Sequence, residues 1–223
     1  MIELPFYYGR EKFMDYIISV FLGYGLGCLN PAWFISRAKH IDIRKRGTGN
    51  PGTTNAFINL GKGWGLMVLV CDLCKAYAAV KVCQRLFPES ALVGVVAGCA
   101  AVMGHIFPFY LKFHGGKGVA SFGGYILALD WKLFILLLAI GCVLALVINY
   151  GCSISFSAAV LFPVLYAGKQ HSAAVFLLTA LCSGVIIYRH MDNIRKIKNR
   201  TELPVRTFLY QYILKRRQSN GGV

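Results

Sequence analysis

The sequence predicts an all-α, polytopic membrane helix bundle with about seven spans. Three observations carry this. Hydrophobic residues make up 57% of the 223, and the mean hydropathy is +0.56, well above an ordinary soluble domain. The apolar residues come in long blocks, near the ~20 residues that cross a bilayer as a helix, divided by short basic loops. Within the blocks polar and apolar positions do not alternate, as they do in the strands of an outer-membrane barrel.

Seven segments fit: 14–36, 64–82, 91–111, 118–130, 132–150, 153–168 and 172–189. The first is too long for a signal-peptide core and lacks a clear cleavage site, so it reads as a span. The second carries Asp72 and Lys75, three apart. Charges inside a span usually pair in the bundle interior, and these read as a structural ion pair. The third closes on His105-Ile106-Phe107-Pro108, where Pro108 interrupts the helix and His105 reads as a buried, hydrogen-bonded residue. The fourth is short and glycine-rich (Gly118, Gly123, Gly124). It is the weakest of the seven and reads either as a span or as a half-span or re-entrant piece lined by protein; if it does not cross, the count falls to five or six. The eight cysteines lie mostly inside the blocks, as small apolar residues that let helices approach. Cys71-Asp72-Leu73-Cys74 is a single CxxC with no second pair, so neither zinc nor redox chemistry is expected there.

Charge sets the orientation. Nine acids against 24 Lys and Arg give a net charge of +15. The loop 37–63 holds six cations, the loop after the third span two, and the segment after the last span nine, against six on the opposite side and Lys75 within a span. The positive-inside rule then places the C-terminus in the cytoplasm and the N-terminus outside. The loops 37–63, 111–118 and 189–202 fall on one face. The chain divides into a membrane domain, 1–202, and a basic cytoplasmic tail, 203–223. The tail segment 203–217 reads either as an interfacial helix on the anionic leaflet or as an extension that obeys the topology rule. No nucleic-acid partner is expected.

Polar chemistry concentrates in three places. Gly47-Thr48-Gly49-Asn50-Pro51-Gly52-Thr53-Thr54-Asn55 follows Arg44-Lys45-Arg46 and contains hydroxyls and carboxamides but no acid. Its glycines let the backbone bend, and bent main chain offers N–H groups in a nest that suits an anion. Phe113-His114-Gly115-Gly116-Lys117-Gly118 is a second tight turn, with a lysine suited to phosphate as a point charge. It lacks the spacing of a Walker A loop. In Tyr188-Arg189-His190-Met191-Asp192-Asn193-Ile194-Arg195, a continuing helix puts His190, Asn193 and Ile194 on one face. The group reads either as an anion site or as helix C-terminal cations answering the macrodipole. The chain has no HxxxxD arrangement, no aspartate cluster spaced for magnesium and no GxSxG.

Together these stretches resemble the bacterial acyl-phosphate:glycerol-3-phosphate acyltransferases of the PlsY type. The first motif runs from Gly27 to Gly63 and includes Ile41-Asp42-Ile43-Arg44. The second joins Gly104-His105-Ile106-Phe107-Pro108 to Gly115-Gly116-Lys117-Gly118. The third runs from Tyr188 to Ile194 and closes on Thr201-Glu202. Asp72 and Lys75 also match, and the likeness covers residues 15 to 202. The resemblance implies a seven-span enzyme with its chemistry on the cytoplasmic face of the inner membrane. It would move an acyl group from acyl phosphate to the 1-hydroxyl of glycerol 3-phosphate, giving lysophosphatidic acid and phosphate, with no metal or coenzyme A. Its partners would be these two substrates, membrane lipid and the soluble enzyme that makes acyl phosphate.

By motif position the resemblance implies catalytic roles for Thr48, Lys117, His190 and Asn193, and substrate contacts from Arg44, Gly49, Asn50, Thr54, Asn55, Gly115, Gly116, Gly118 and Arg189. The hydroxyl proton would pass to substrate phosphate, with His190 as the alternative base. Several positions depart from the family pattern. Thr48 stands for the usual Ser, Thr53 for Ala, Ile58 for an Arg, His114 for a Lys and Cys152 for a Ser. Ile58 removes an expected phosphate contact and opens the reading of a homologue with weakened activity. A membrane carrier for phosphorylated metabolites is the competing class. Carriers often show two related halves, and no internal repeat is visible here.

Overall fold

The computed structural model describes residues 5–214, with side chains from residue 12 onward. Its regular elements are helices: α1 (Pro5–Cys28), α2 (Pro31–Ala38), α3 (Thr53–Leu60), α4 (Lys62–Leu86), α5 (Val93–Ile106), α6 (Val119–Leu129), α7 (Trp131–Ile148), α8 (Cys152–Gln170), α9 (Ala173–Arg189), α10 (Met191–Lys198) and α11 (Val205–Phe208). Among the described residues, five helical stretches have the length and composition to cross a membrane: Lys12–Ala38, Val93–Leu111, Trp131–Ile148, Cys152–Gln170 and Ala173–Lys198. The protein is thus a multi-pass helical membrane protein. Helices also form at the second and fourth expected segments. α4 is 25 residues long and carries Asp72 and Lys75 in its middle. α6 has only 11 residues, roughly 16 Å at the helical rise.

Small residues set the close contacts. A Cβ on Gly27 of α1 would lie 2.1 Å from the Ala101 carbonyl oxygen of α5, and one on Gly104 would lie 2.3 Å from the Tyr24 oxygen. These two helices therefore touch backbone to backbone, as small residues permit in membranes. α6 is wrapped by protein. Ser121, Phe122, Gly124, Tyr125, Ile126 and Ala128 are all buried, and a Cβ on Gly124 would meet the Leu73 oxygen of α4 at 2.0 Å. Its Phe122 and Tyr125 rings pack on Phe162 of α8 at 5.5 and 5.4 Å. A helix too short to cross the hydrocarbon alone is surrounded by its neighbours, which fits the half-span alternative for the fourth segment. α7 lies outermost and turns Ile135, Leu138, Val143 and Val147 outward.

Two boundaries differ from expectation. The first expected span breaks at Leu29-Asn30, because the Asn30 side chain caps α2 by accepting from the Trp33 amide and Pro31 occupies its first turn. α5, by contrast, stops at Ile106, before Pro108, as expected. The last span does not continue straight through the third motif. His190 separates α9 from α10, so His190 and Asn193 turn inward while Ile194 is exposed.

The tail packs back on the bundle. The Val205 amide donates to the Asn149 carbonyl at 2.9 Å, the Arg206 amide donates to Asn149 Oδ1 at 3.0 Å, and Phe208 meets the Phe57 ring of α3 at 6.0 Å. Leu209–Leu214 form a π-helical turn. Lys215, Arg216 and Arg217, the charged end of the expected interfacial segment, lie outside the described residues, as does Arg10 as a side chain.

Candidate active site

The first loop is wound around Asn55, which is fully buried in α3. Its Nδ2 donates to the Ile43 carbonyl at 2.8 Å and the Arg46 carbonyl at 3.1 Å. Its Oδ1 accepts from the Thr48 amide at 2.8 Å and from Asn59 Nδ2 at 2.8 Å. Gly47 and Gly49 have positive φ, +56° and +74°, and a Cβ on Gly47 would strike Asn55 Oδ1 at 2.4 Å. The chain therefore turns tightly over one carboxamide, leaving Thr48, Gly49 and Thr54 exposed and Asn50 half-buried. Gly52 precedes α3 with no side-chain cap, so the amides of Thr53 and Thr54 have no partner within the helix and form a positive helix end beside the loop. Arg44 is held by Asp42 through Nε at 3.1 Å and Nη2 at 3.3 Å. The guanidinium keeps the Asp42 carboxyl below its usual range.

The second loop is docked on the carboxyl end of α5. Gly115 N donates to the Ile106 carbonyl at 2.9 Å and Gly116 N to the His105 carbonyl at 3.2 Å. Neither glycine has room for a side chain: a Cβ would lie 2.1 Å from the His105 carbonyl oxygen or from its Nε2. Gly118, at φ +84°, starts α6. Arg189 at the end of α9 clamps the same turn, donating from Nη2 to the Gly115 carbonyl at 3.2 Å and the Gly116 carbonyl at 3.5 Å. Its buried Nε has no partner among the described residues.

Lys117 projects from this turn and donates to Asn193 Oδ1. Asn193 in turn donates to Glu202 Oε1 at 2.5 Å. The second and third motifs, 76 residues apart, thus meet directly. Burial pushes the Lys117 ammonium below the ordinary lysine range, while Glu202 pulls it back up. His190 is buried with its ring edge toward Phe156 at 5.9 Å, and its Nδ1 lies 2.8 Å from the Ile186 carbonyl. A carbonyl only accepts, so Nδ1 carries the hydrogen and the neutral ring leaves Nε2 as acceptor.

The segment before the second loop packs on the ends of α1 and α2. Tyr110 OH donates to the Cys28 carbonyl at 2.7 Å, and its ring stacks on Phe34 of α2 at 5.7 Å. Lys75 meets Asp72 Oδ1 at 2.7 Å, as the sequence led us to expect. His105 completes this group, which the sequence showed only as separate residues. Asn30, whose Nδ2 donates to the Pro51 carbonyl at 3.1 Å, was missed. Asn-Pro is a helix-start signal that would have drawn attention to it. Ile58, at the position of the expected arginine, is half-buried on α3. Beside Arg189 runs an apolar groove lined by Phe107, Leu177, Leu181, Gly184, Val185 and Tyr188.

The family model for glycerol-3-phosphate acyltransferase matches residues 17–200. A glycerol-3-phosphate acyltransferase of Prochlorococcus marinus strain MIT 9301 is 36% identical over 186 residues, covering 81% of this chain and 93% of its own. One from Bacillus subtilis strain 168 is 34% identical over 190 residues, covering 85% and 97%. Among solved structures, the glycerol 3-phosphate form of PlsY (YgiH), an integral membrane glycerol 3-phosphate acyltransferase, superposes with a TM-score of 0.78 at 27% identity, covering 85% of this chain and 94% of its own. The lysophosphatidic acid form of PlsY superposes equally well, at 0.78 and 26% identity over 88% and 99%. Sequence, fold and the three ordered motifs thus agree, and the chain belongs to the glycerol-3-phosphate acyltransferase family.

Proposed function

We propose that this enzyme transfers a fatty acyl group from acyl phosphate to the 1-hydroxyl of glycerol 3-phosphate, the first step of phospholipid synthesis. The observation that carries this is one juxtaposition. A cationic glycine turn, bearing Lys117 and clamped by Arg189, stands beside an apolar groove that Phe107 and Tyr188 line. An acyl phosphate has the same two parts, an acyl chain and an anionic head. Tyr188 precedes Arg189, whose guanidinium lies 6.0 Å from the Phe107 ring, so a chain in the groove brings its head to the cations.

The hydroxyl oxygen of glycerol 3-phosphate attacks the acyl carbonyl carbon, the bond from that carbon to the phosphate oxygen breaks, and the proton passes to a phosphate oxygen. The donor is already an activated anhydride. The protein's task is to align two anions that repel each other and to screen their charge. Thr48, Asn50, Thr54, Arg44 and the α3 amides serve one phosphate; Lys117, Arg189 and the Gly115–Gly116–Gly118 turn serve the other. Asn55 acts by shaping its loop, and Asn193 by holding Lys117. We assign seven spans, an external N-terminus, a site on the cytoplasmic face of the inner membrane, and a basic tail, 203–223, beyond the catalytic domain. There the soluble enzyme that makes acyl phosphate has access to it.

The test is purified protein with palmitoyl phosphate and glycerol 3-phosphate, followed for lysophosphatidic acid. Vesicles that accumulate glycerol 3-phosphate without lipid product would mean a carrier instead. Two further outcomes are expected. His190→Ala keeps turnover within about tenfold of wild type at every pH, below the usual contribution of a general base; a larger loss that erases the acidic limb of the profile makes His190 the base. The kcat/KM profile declines on the alkaline side as Lys117 loses its proton, starting below the ordinary lysine range because burial has lowered its pKa. That limb disappears in Lys117→Arg, whose guanidinium does not titrate.

A further inference from the structure

Asp72, Lys75 and His105 are 1%, 7% and 3% exposed, inside helices of a membrane protein. Ions so placed cost several kcal/mol each to desolvate, and apolar packing would serve the bundle as well. The Lys75 ammonium has three hydrogens and three partners on three different parts of the chain. They are Asp72 Oδ1 on its own helix at 2.7 Å, the Leu29 carbonyl between α1 and α2 at 2.6 Å, and His105 Nδ1 on α5 at 2.8 Å.

The last two partners lead to the two loops. Leu29 adjoins Asn30, whose side chain grips the Pro51 carbonyl in the first loop. The His105 carbonyl receives the Gly116 amide, and its ring packs where a Gly116 side chain would stand. One buried cation thus stands two hydrogen bonds from each phosphate-facing turn, through Leu29-Asn30 on one side and His105 on the other. An ion pair serving only to join α4 to α5 would have no need of the Leu29 carbonyl.

We propose that Lys75, oriented by Asp72 and His105, sets the separation of the 47–55 and 115–118 loops and is a positioning residue for acyl transfer. Its kinetic consequence rests on the acyltransferase reading; its structural consequence does not. Each loop keeps its own internal bonds without Lys75, so each still binds its anion, but their mutual alignment is lost. A misplacement of about 1 Å is enough to cost on the order of 100-fold in rate.

Hydrogen exchange tests the structural part. In Lys75→Met the amides of both 47–55 and 115–118 should exchange about tenfold faster or more, with α7 and α8 unchanged, because local opening is governed by local contacts. In folded protein kcat should fall by about tenfold or more while KM for glycerol 3-phosphate stays within about threefold, the mark of lost alignment rather than lost binding. If Lys75→Met does not fold, the double variant Asp72→Asn/Lys75→Gln carries the same expectations, since it removes both charges together and leaves no unpaired ion. Faster exchange in one loop only or in neither, or a folded variant with unchanged kcat, overturns the proposal. Wild-type protein that makes no lysophosphatidic acid removes the acyltransferase reading, and the exchange result then decides this one.

Discussion

Lys117→Ala is expected to lower kcat/KM by about 100- to 1,000-fold while the protein stays folded, the usual loss when one preorganised group that stabilises developing charge is removed. Lys117 leaves a turn that other residues hold: two amides on α5 carbonyls and the Arg189 clamp keep Gly115 and Gly116 in place without it. The substitution therefore removes a charge and little structure. Its ammonium is partly desolvated, which strengthens its pull on a bound phosphate. Asn193 and Glu202 give it direction. Lys117→Arg should recover only a small part of the loss. A planar fork on a longer side chain does not occupy the place of a compact ammonium, and Asn193 is already close. Initial rates of lysophosphatidic acid formation check both, and an alanine variant within about fivefold of wild type would take Lys117 out of the chemistry.

Asn55→Ala is expected to cost about as much activity, by a different route. It deletes both hydrogens given to the Ile43 and Arg46 carbonyls and the oxygen that receives the Thr48 amide. Each buried partner left unmet costs roughly 1–3 kcal/mol, enough to release the loop over Gly47. Asn55→Asp separates shape from bonding. It keeps the size of the side chain but aims a carboxylate oxygen at two carbonyl oxygens, so it should be no better than alanine. Were Asn55 instead a direct substrate contact on a self-supporting loop, hydrogen exchange of 47–55 would be unchanged in both variants. The expected result is faster exchange in both, with the second loop still protected.

Much of the architecture was legible from hydropathy and charge. The seven helical segments, the interruption before Pro108, the enclosed short α6 and the Asp72–Lys75 pair follow from residue type and local spacing. The list of side chains proposed to meet phosphate came from the same reading, of glycine turns with lysine, carboxamides and no acid. Roles within the list were not legible. Asn50 and Asn55 look equivalent in the sequence, yet one is half-exposed and the other is the post around which the loop winds. His190 and Ile194 looked like neighbours on one face until the helix broke at His190. His105 gave no sign that it would sit on the ammonium of a lysine 30 residues earlier.

Residue type and order alone were enough to read a helical membrane protein whose candidate phosphate-site residues fall in three polar loops. Packing settled which of those residues hold the loops and which stay exposed, and brought Lys117 to Asn193. The reason is range. Hydropathy and charge act through sums over a window of chain, which survive averaging. A hydrogen bond is decided within a few tenths of an ångström and by direction, and for partners 74 or 76 residues apart only the packed helices set that distance.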